Sequence, residues 1–368
     1  MKCVLLQTAV PDYRLPVLQI LANELGDNFM VLAGEGYFDG TTRTRADALR
    51  TNFRPITNIF VLNKLSFQLG CWADVLAADA AILELNPRIL SSWIMLLIRR
   101  ILGKRTAVWG HAWSRKGPYV GSTALRDLMC RLAGSVVAYT EREKHYFIER
   151  MPHLTVFTAP NALYSRSRMV ALIPAAPCHD ILYVGRLVAD KKPILLLQAF
   201  AQAATSLPSD ARLRFAGAGP ELGALQELAR SAGLADKVEF LGHRGSYEEI
   251  RDLYSSALAS ASPGYVGLSL VQSLCFGVPV LIARDEPHSP EIEAASDGAN
   301  CLFFNSDDPS DLAKAIVSVF QNEHSWLDKR EEISEGCARQ YTVERMATGL
   351  LRAFGMAKIV HDDGKRFL

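Results

Sequence analysis

Neither sign of charge dominates this chain. Its 40 Lys and Arg face 39 Asp and Glu, so it lacks the basic surplus of a general nucleic-acid binder. Long apolar runs are also missing: none reaches the roughly 18 uninterrupted residues of a membrane-crossing helix. The start, MKCVLLQTAV, has one lysine and an apolar run cut short by Pro11, so no signal peptide is expected. Cysteine is sparse and scattered. The seven are an odd number, and no two have metal-ligand spacing, which points to a reducing cytoplasm rather than a disulfide frame. There is no Asp-x-Asp pair to hold a metal-bound diphosphate, no repeat and no low-complexity tract.

What is present is a globular composition, 49% hydrophobic and 21% charged over 368 residues, long enough for two cores. Short apolar runs rich in β-formers alternate with helical stretches. The pattern predicts strands at 3–7, 29–33, 81–85, 106–109 and 136–140 in the first half, and at 181–184, 213–216, 238–241, 257–260 and 280–283 in the second. Helices are expected between them, as at 194–204, 222–232 and 247–255. Near-continuous apolar strands separated by helices indicate parallel sheets covered on both faces, hence an α/β chain with two such sheets. The boundary falls in the aperiodic stretch 161–180. This gives an N-terminal domain over 1–165, a C-terminal domain over 178–340, and a last amphipathic helix within 341–368 that packs back on the first. The segment ILSSWIMLLIRRIL, 89–102, has two readings: a helix packed on a sheet with its arginines at the exposed end, or an amphipathic membrane-interface element.

Several strand ends carry residues suited to anions. Strand 181–184 leads into GRLVADKKP, which puts Arg186 and Lys191 on one loop at the carboxyl edge of a sheet, where open α/β folds bind ligands. Arg supplies a fork of donors and Lys a compact charge. Strand 213–216 leads into GAGPE, with Gly217, Gly219 and Glu221: either a tight turn or a ligand contact. Strand 238–241 leads into Gly242, His243 and Arg244, a plain loop or a neighbour of a base. PGYVGLSLVQSLCFGVPVLIA, 263–283, brings small residues into an apolar helix whose first amides, Gly267 to Leu270, form an anion site. In the first half His111 follows a buried strand and is either bonded to backbone or close to chemistry. Arg115 and Lys116 add positive charge beside it. Asp12, Tyr13 and Arg14 follow the first strand, and Glu84 ends another.

The motifs VGRLVADKK, FAGAGPE, VEFLGHR, GLSLVQSLCFGVPV and PEIEAASDGANCLFF stand in the order and spacing of the second domain of glycosyltransferase family 4, and the chain resembles that family. The resemblance implies a GT-B fold, two Rossmann-like domains with parallel sheets facing across a cleft. It implies transfer of a hexosyl or deoxyhexosyl group from a nucleotide-diphosphate sugar to a hydroxyl, with retention. No cofactor or metal is expected beyond that donor. Arg186 and Lys191 then hold the diphosphate and His111 lies near the reacting centre. Gly219, Glu221, His243, Arg244, Gly264, Val266, Gly267, Leu268, Ser269 and Gln272 line the donor. The family carries Glu at the positions of Gly264 and Gln272. An amide at 272 can still bond ribose hydroxyls, whereas glycine at 264 is expected to remove a charged acceptor and leave room. The implied acceptor is a glycan or lipid-linked saccharide of bacterial surface polysaccharide synthesis. The implied place is the cytoplasm, with peripheral contact to the inner membrane face. A binding protein that kept the fold without catalysis, or a sugar-nucleotide epimerase, are the alternatives.

Overall fold

The computed structural model describes residues 1–38, 42–45, 47–113, 121–174 and 178–357. Arg115 and Lys116 lie outside the described residues, as does the tail from residue 358. The chain forms two compact units, Met1–Arg166 with the segment from Tyr341, and Ser167–Gln340.

The first unit runs β1 (Cys3–Gln7), α1 (Leu15–Leu25), β2 (Phe29–Ala33) and β3 (Phe53–Pro55). A hairpin follows, β4 (Thr57–Val61) and β5 (Leu65–Leu69). Then come α2 (Trp72–Ala77), β6 (Ala80–Glu84), α3 (Leu90–Ile101), β7 (Arg105–Trp109), α4 (Gly121–Ala133), β8 (Ser135–Ala138), α5 (Glu141–Arg150) and β9 (Thr155–Thr158). Seven strands make a parallel sheet in the order β3-β2-β1-β6-β7-β8-β9, and β4 and β5 pair separately and antiparallel. Leu5 stands in register with Val31 and Ile82. Leu5, Val31, Ile82 and Trp109 enter the core on one face, while Val4, Leu6, Leu83 and Val108 enter that on the other. Strands buried on both sides must be apolar throughout, which is why they read as continuous runs.

The second unit runs β10 (Asp180–Val184), α6 (Pro193–Ala203), β11 (Arg212–Ala216), α7 (Leu222–Ser231), β12 (Val238–Gly242), α8 (Tyr247–Ser256), β13 (Ala257–Ser262), α9 (Leu268–Cys275), β14 (Val280–Ala283), β15 (Cys301–Phe304), α10 (Pro309–Gln321), α11 (Glu323–Asp328) and α12 (Arg330–Ala338). Its parallel sheet has the order β12-β11-β10-β13-β14-β15. Side-chain caps set several helix starts. Ser246 and Glu249 form a capping box at α8, and Asp308 accepts two amides at α10. The last helix, α13 (Val343–Phe354), belongs to the first unit. Val343, Met346, Leu350 and Phe354 join the core of Leu5 and Ile82, and the Phe354 ring meets Phe29 edge-on at 6.0 Å.

Two parallel sheets with crossover helices give the α/β, doubly Rossmann-like class expected from the sequence. All ten expected strands form. The hairpin, β3, β9 and β15 were not foreseen. The reading of 89–102 with both arginines exposed is corrected. Arg99 is fully buried and donates to Thr106 Oγ1, to the carbonyls of Ala78 and Arg105, and to that of Val75, while Arg100 is exposed. Burial lowers the Arg99 guanidinium to about 10, the charge of Asp79 offsetting only part of the effect.

Candidate functional site

In an open parallel sheet, ligands gather at the carboxyl edge where the strand order reverses. In the second unit that point lies between β10, which continues outward to β11 and β12, and β13, which leads to β14 and β15. The loops there are 185–192 and 263–267, which hold Arg186, Lys191, Gly264 and the residues leading into α9.

The two loops are fastened to each other. The Lys191 ammonium donates to the Tyr265 carbonyl at 2.6 Å and lies 4.3 Å from the centre of the Tyr265 ring. The Tyr265 amide donates back to the Asp190 carbonyl at 3.2 Å. Gly264 sits where these main chains cross. A β-carbon at 264 would stand 2.5 Å from Asp190 O and 2.9 Å from the Lys191 carbonyl carbon. The room expected at this position does not exist, because the 190–191 backbone fills the space in which a side chain would start.

Neighbouring lysines divide their work. Lys192, at a left-handed φ of +50°, gives its ammonium to Glu286 and, at 2.6 Å, to Asp307. Lys191 instead meets a carbonyl and a ring. Arg186 is exposed, and its guanidinium makes no hydrogen bond or ion pair among the described residues, although the buried Tyr183 hydroxyl holds its carbonyl at 2.7 Å.

α9 begins at Gly267, whose φ of −144° and ψ of −132° are not helical, and no side chain caps it. The Leu270 N–H is taken by the Gly267 carbonyl at 3.0 Å, which corrects the expected four-amide site to Gly267, Leu268 and Ser269. Their N–H groups precede the first intrahelical acceptor, and the helix dipole adds positive potential there. Gly267, Leu268 and Ser269 are half-exposed, and Gln272 is half-exposed one turn on. Val266 is different. Its side chain is fully buried, its N–H goes to His288 Nδ1 at 3.1 Å and its carbonyl accepts from Ser289 N at 3.0 Å. The expected contact of Val266 with a donor is therefore corrected: the residue braces the loop from inside.

Sequence reasoning passed over His288, Ser289 and Tyr265. His288 Nε2 lies 2.7 Å from the Ala283 carbonyl, which fixes the proton on Nε2 and leaves Nδ1 as the acceptor for Val266. Burial pushes this histidine below its ordinary 6.5. The Tyr265 and Ser289 hydroxyls bond to each other. An apolar strand ending in Ala283 gives no hint that a histidine five residues on will clamp the loop of the preceding strand.

The remaining expected residues are spread along the same edge. β10 and β11 continue pairing beyond their ends, with Gly185 N to Ala216 O at 3.0 Å, Leu187 N to Ala218 O at 2.9 Å and Glu221 N to Leu187 O at 3.1 Å. A β-carbon on Gly217 or Gly219 would overlap the carbonyl oxygens of Gly185 or Leu187, so these glycines answer to main-chain packing. Glu221 caps α7. His243 and Arg244 follow the edge strand β12, with β11 between them and β10. Both are exposed, and Arg244 pairs with Glu249 at 3.2 Å.

His111 belongs to the first unit, just past β7. Its Nδ1 lies 3.5 Å from Glu143 Oε1 and its ring centre 4.5 Å from that of Tyr139. Glu143 is buried and also accepts the amides of Ala112 and Tyr139. The first sheet reverses order between β1 and β6. There Glu84 accepts from the Thr8 amide at 2.9 Å, and from Tyr37 Oη and Asn86 Nδ2 at 3.3 Å each. Arg14 donates to Tyr139 Oη at 2.8 Å and to Gln7, over the face of Trp109.

Residues 178–339 match the family model described as glycosyl transferases group 1. An exopolysaccharide phosphotransferase of Streptomyces coelicolor is 30% identical over 213 residues, covering 56% of this chain and 21% of that protein. An uncharacterized glycosyltransferase of Haemophilus influenzae is 22% identical over 306 residues, 78% of this chain and 83% of its own. The chain spans between a fifth and a third of the first two curated relatives it matches. Among solved structures, HepE of Anabaena in complex with UDP superposes with a TM-score of 0.72 at 16% identity over 96% of this chain and 100% of its own. The same protein in complex with UDP-glucose superposes with a TM-score of 0.66 at 17% identity, over 96% of this chain and 99% of its own. The second unit thus carries the glycosyl transferases group 1 pattern, within a chain whose fold is of the GT-B kind.

Proposed function

We propose that this protein is a retaining glycosyltransferase that moves a sugar from a nucleotide diphosphate to a hydroxyl acceptor, with the donor held on the second unit. The family match over 178–339 and the likeness to a protein solved with UDP and UDP-glucose support a sugar nucleotide as the ligand. The observation that carries the reading is the β10/β13 switch point, where an uncommitted guanidinium, an ammonium and the amides of α9 share one sheet edge. In this reading Arg186 and Lys191 neutralise the leaving diphosphate, and Gly267, Leu268 and Ser269 hold a phosphate through their amides. Gln272 bonds the ribose hydroxyls, and the loops at Gly219–Glu221 and His243–Arg244 flank the base. His111 is assigned to the acceptor side. The leaving phosphate takes the acceptor proton on the same face, so no side-chain nucleophile or metal is required, and the chain's part is to orient and to neutralise.

The acceptor we propose is a saccharide, free or lipid-linked, in surface polysaccharide synthesis. The name of the Streptomyces relative supports it, and contact with a membrane would be peripheral. No helix among the described residues is long and apolar enough to cross a membrane. Arg186→Ala tests the donor site. Removing a charge-assisted bond of about 1.5–3 kcal/mol should raise the Kd for UDP-glucose by roughly 10- to 150-fold without a change in melting temperature. Undiminished affinity for every nucleotide sugar tried would overturn the assignment. The main chain packed against Gly264 supports a second reading, a donor-binding protein without turnover. Release of UDP in the presence of saccharide acceptors separates the two.

A further inference from the structure

α3 is inside out. Its fully buried positions include Ser91, Ser92 and Arg99, whereas Leu90, Ile94, Leu97 and Ile101 are exposed, the last by 76%. These four recur at helical spacing and make one aliphatic stripe. Arg100 is the single exposed polar residue of the helix. β5 runs against the start of α3, with Ser66 N bonded to Arg88 O and Gln68 N to Ser91 Oγ. The hairpin has an outward face in which Ile59 pairs with Phe67 and Val61 with Leu65, and Ile59, Val61 and Leu65 are all exposed. Its tip is Leu62, 84% exposed and at a φ of +51°. A branched aliphatic residue in the left-handed region of an exposed turn is unfavourable on both counts. Nothing in the hairpin's own packing explains it. An apolar surface spread over two adjacent elements marks a docking face.

Charge indicates what docks. From Leu85 to Arg126 the chain has no Asp or Glu and eight Lys or Arg, of which Arg99 is buried and Arg88, Arg100 and Lys104 flank or lie on α3. Arg88 donates to the carbonyls of Asn63 and Lys64, Arg100 to that of Arg131, and Lys104 to those of Ala77 and Ala78. None of these three pairs with a carboxylate among the described residues, so their charge stays uncompensated beside the aliphatic stripe. Aliphatic groups flanked in sequence by cations without carboxylate partners suit a lipid surface that is itself anionic. We infer that the β4–β5 hairpin and the outer face of α3 seat the first unit on an anionic bilayer, with Leu62 and the α3 stripe entering the acyl boundary and the cations meeting headgroup phosphates.

The test floats the full chain with vesicles of equal parts phosphatidylglycerol and phosphatidylcholine, and with phosphatidylcholine alone. Binding is expected to the anionic vesicles, weaker in high salt, and weak to the neutral ones. The pair Leu62→Asp and Leu97→Asp should reduce partitioning by on the order of ten-fold or more while leaving the melting temperature within a few degrees, since both side chains are exposed. No flotation, or flotation that the pair leaves intact, overturns the proposal. So does a lipid-free dimer, seen by sedimentation velocity, that the same pair dissolves, because a second copy would then be what covers the face. The readout involves no turnover, so it stands apart from the donor reading.

Discussion

At residue 264 the main chain of Asp190 and Lys191 occupies the place where a side chain would begin. Gly264→Glu, which restores the family's residue, is therefore expected to destabilise the second unit by about 1–3 kcal/mol, the usual cost of overpacking. It should also weaken nucleotide binding, because relief of the clash moves Lys191. Calorimetric unfolding and nucleotide titration of the variant check both effects, and a gain in affinity would contradict them. His288 sets a pH dependence. Its native pKa lies below 6.5 because it is buried. Below pH 6.5 the unfolded chain takes up a proton that the native ring refuses, so stability falls as the pH drops from 6.5 toward the lowered value. Above 6.5 this contribution is complete and flat. Protonating Nδ1 also removes the acceptor of Val266 N–H. His288→Gln should flatten that part of a melting-temperature profile taken from pH 7.5 to 5. These two residues mark how far the site was readable. That Arg186, Lys191 and the start of α9 follow strands of one sheet was readable, because a charged loop or a small-residue helix start after an apolar strand is a local pattern. The Lys191–Tyr265 and Val266–His288 bonds link residues 74 and 22 apart in the chain, and nothing local encodes them.

Elements that repeat a strong period were legible, and those that hinge on one unusual turn were not. Strands buried on both faces, such as β1 and β6, show as unbroken apolar runs and were placed within a residue. β4 alternates exposed and half-buried side chains, β5 sets half-buried Phe67 between buried Ser66 and Gln68, and the two are joined through Leu62 and Asn63, both at a φ of +51°. Such turns usually carry Asn-Gly or Asp-Gly, so the usual hairpin signal is absent. Leu62→Gly removes the β-carbon strain and should stabilise the first unit by up to about 1 kcal/mol. Thermal unfolding would show it as a small rise, and a fall would mean that Leu62 packs within the hairpin. α3 misled for a related reason. Its apolar residues follow the helical period, but the period does not say which face is turned inward, and buried Arg99 fixes the orientation through its four oxygen partners.

For the whole molecule, the decisive arrangement is that the first unit is discontinuous. Its sheet ends at β9, yet α13 supplies Val343, Met346, Ala347, Leu350, Leu351 and Phe354 to its core. Burial of six such side chains contributes on the order of 10 kcal/mol, comparable to the entire stability of a domain. A chain ended at Gln340 should leave residues 1–166 open to limited proteolysis while Ser167–Gln340 stays protected, as mass spectrometry of the fragments would show. Equal resistance of both halves would mean that α13 is dispensable.

The same layout orders events on the ribosome. Residues 167–340 form a complete unit from contiguous chain, whereas the first 166 must wait for a helix made after all of them. The part synthesised first is then the part that closes last, and through that interval the apolar face of its sheet is open to whatever holds nascent chains in solution.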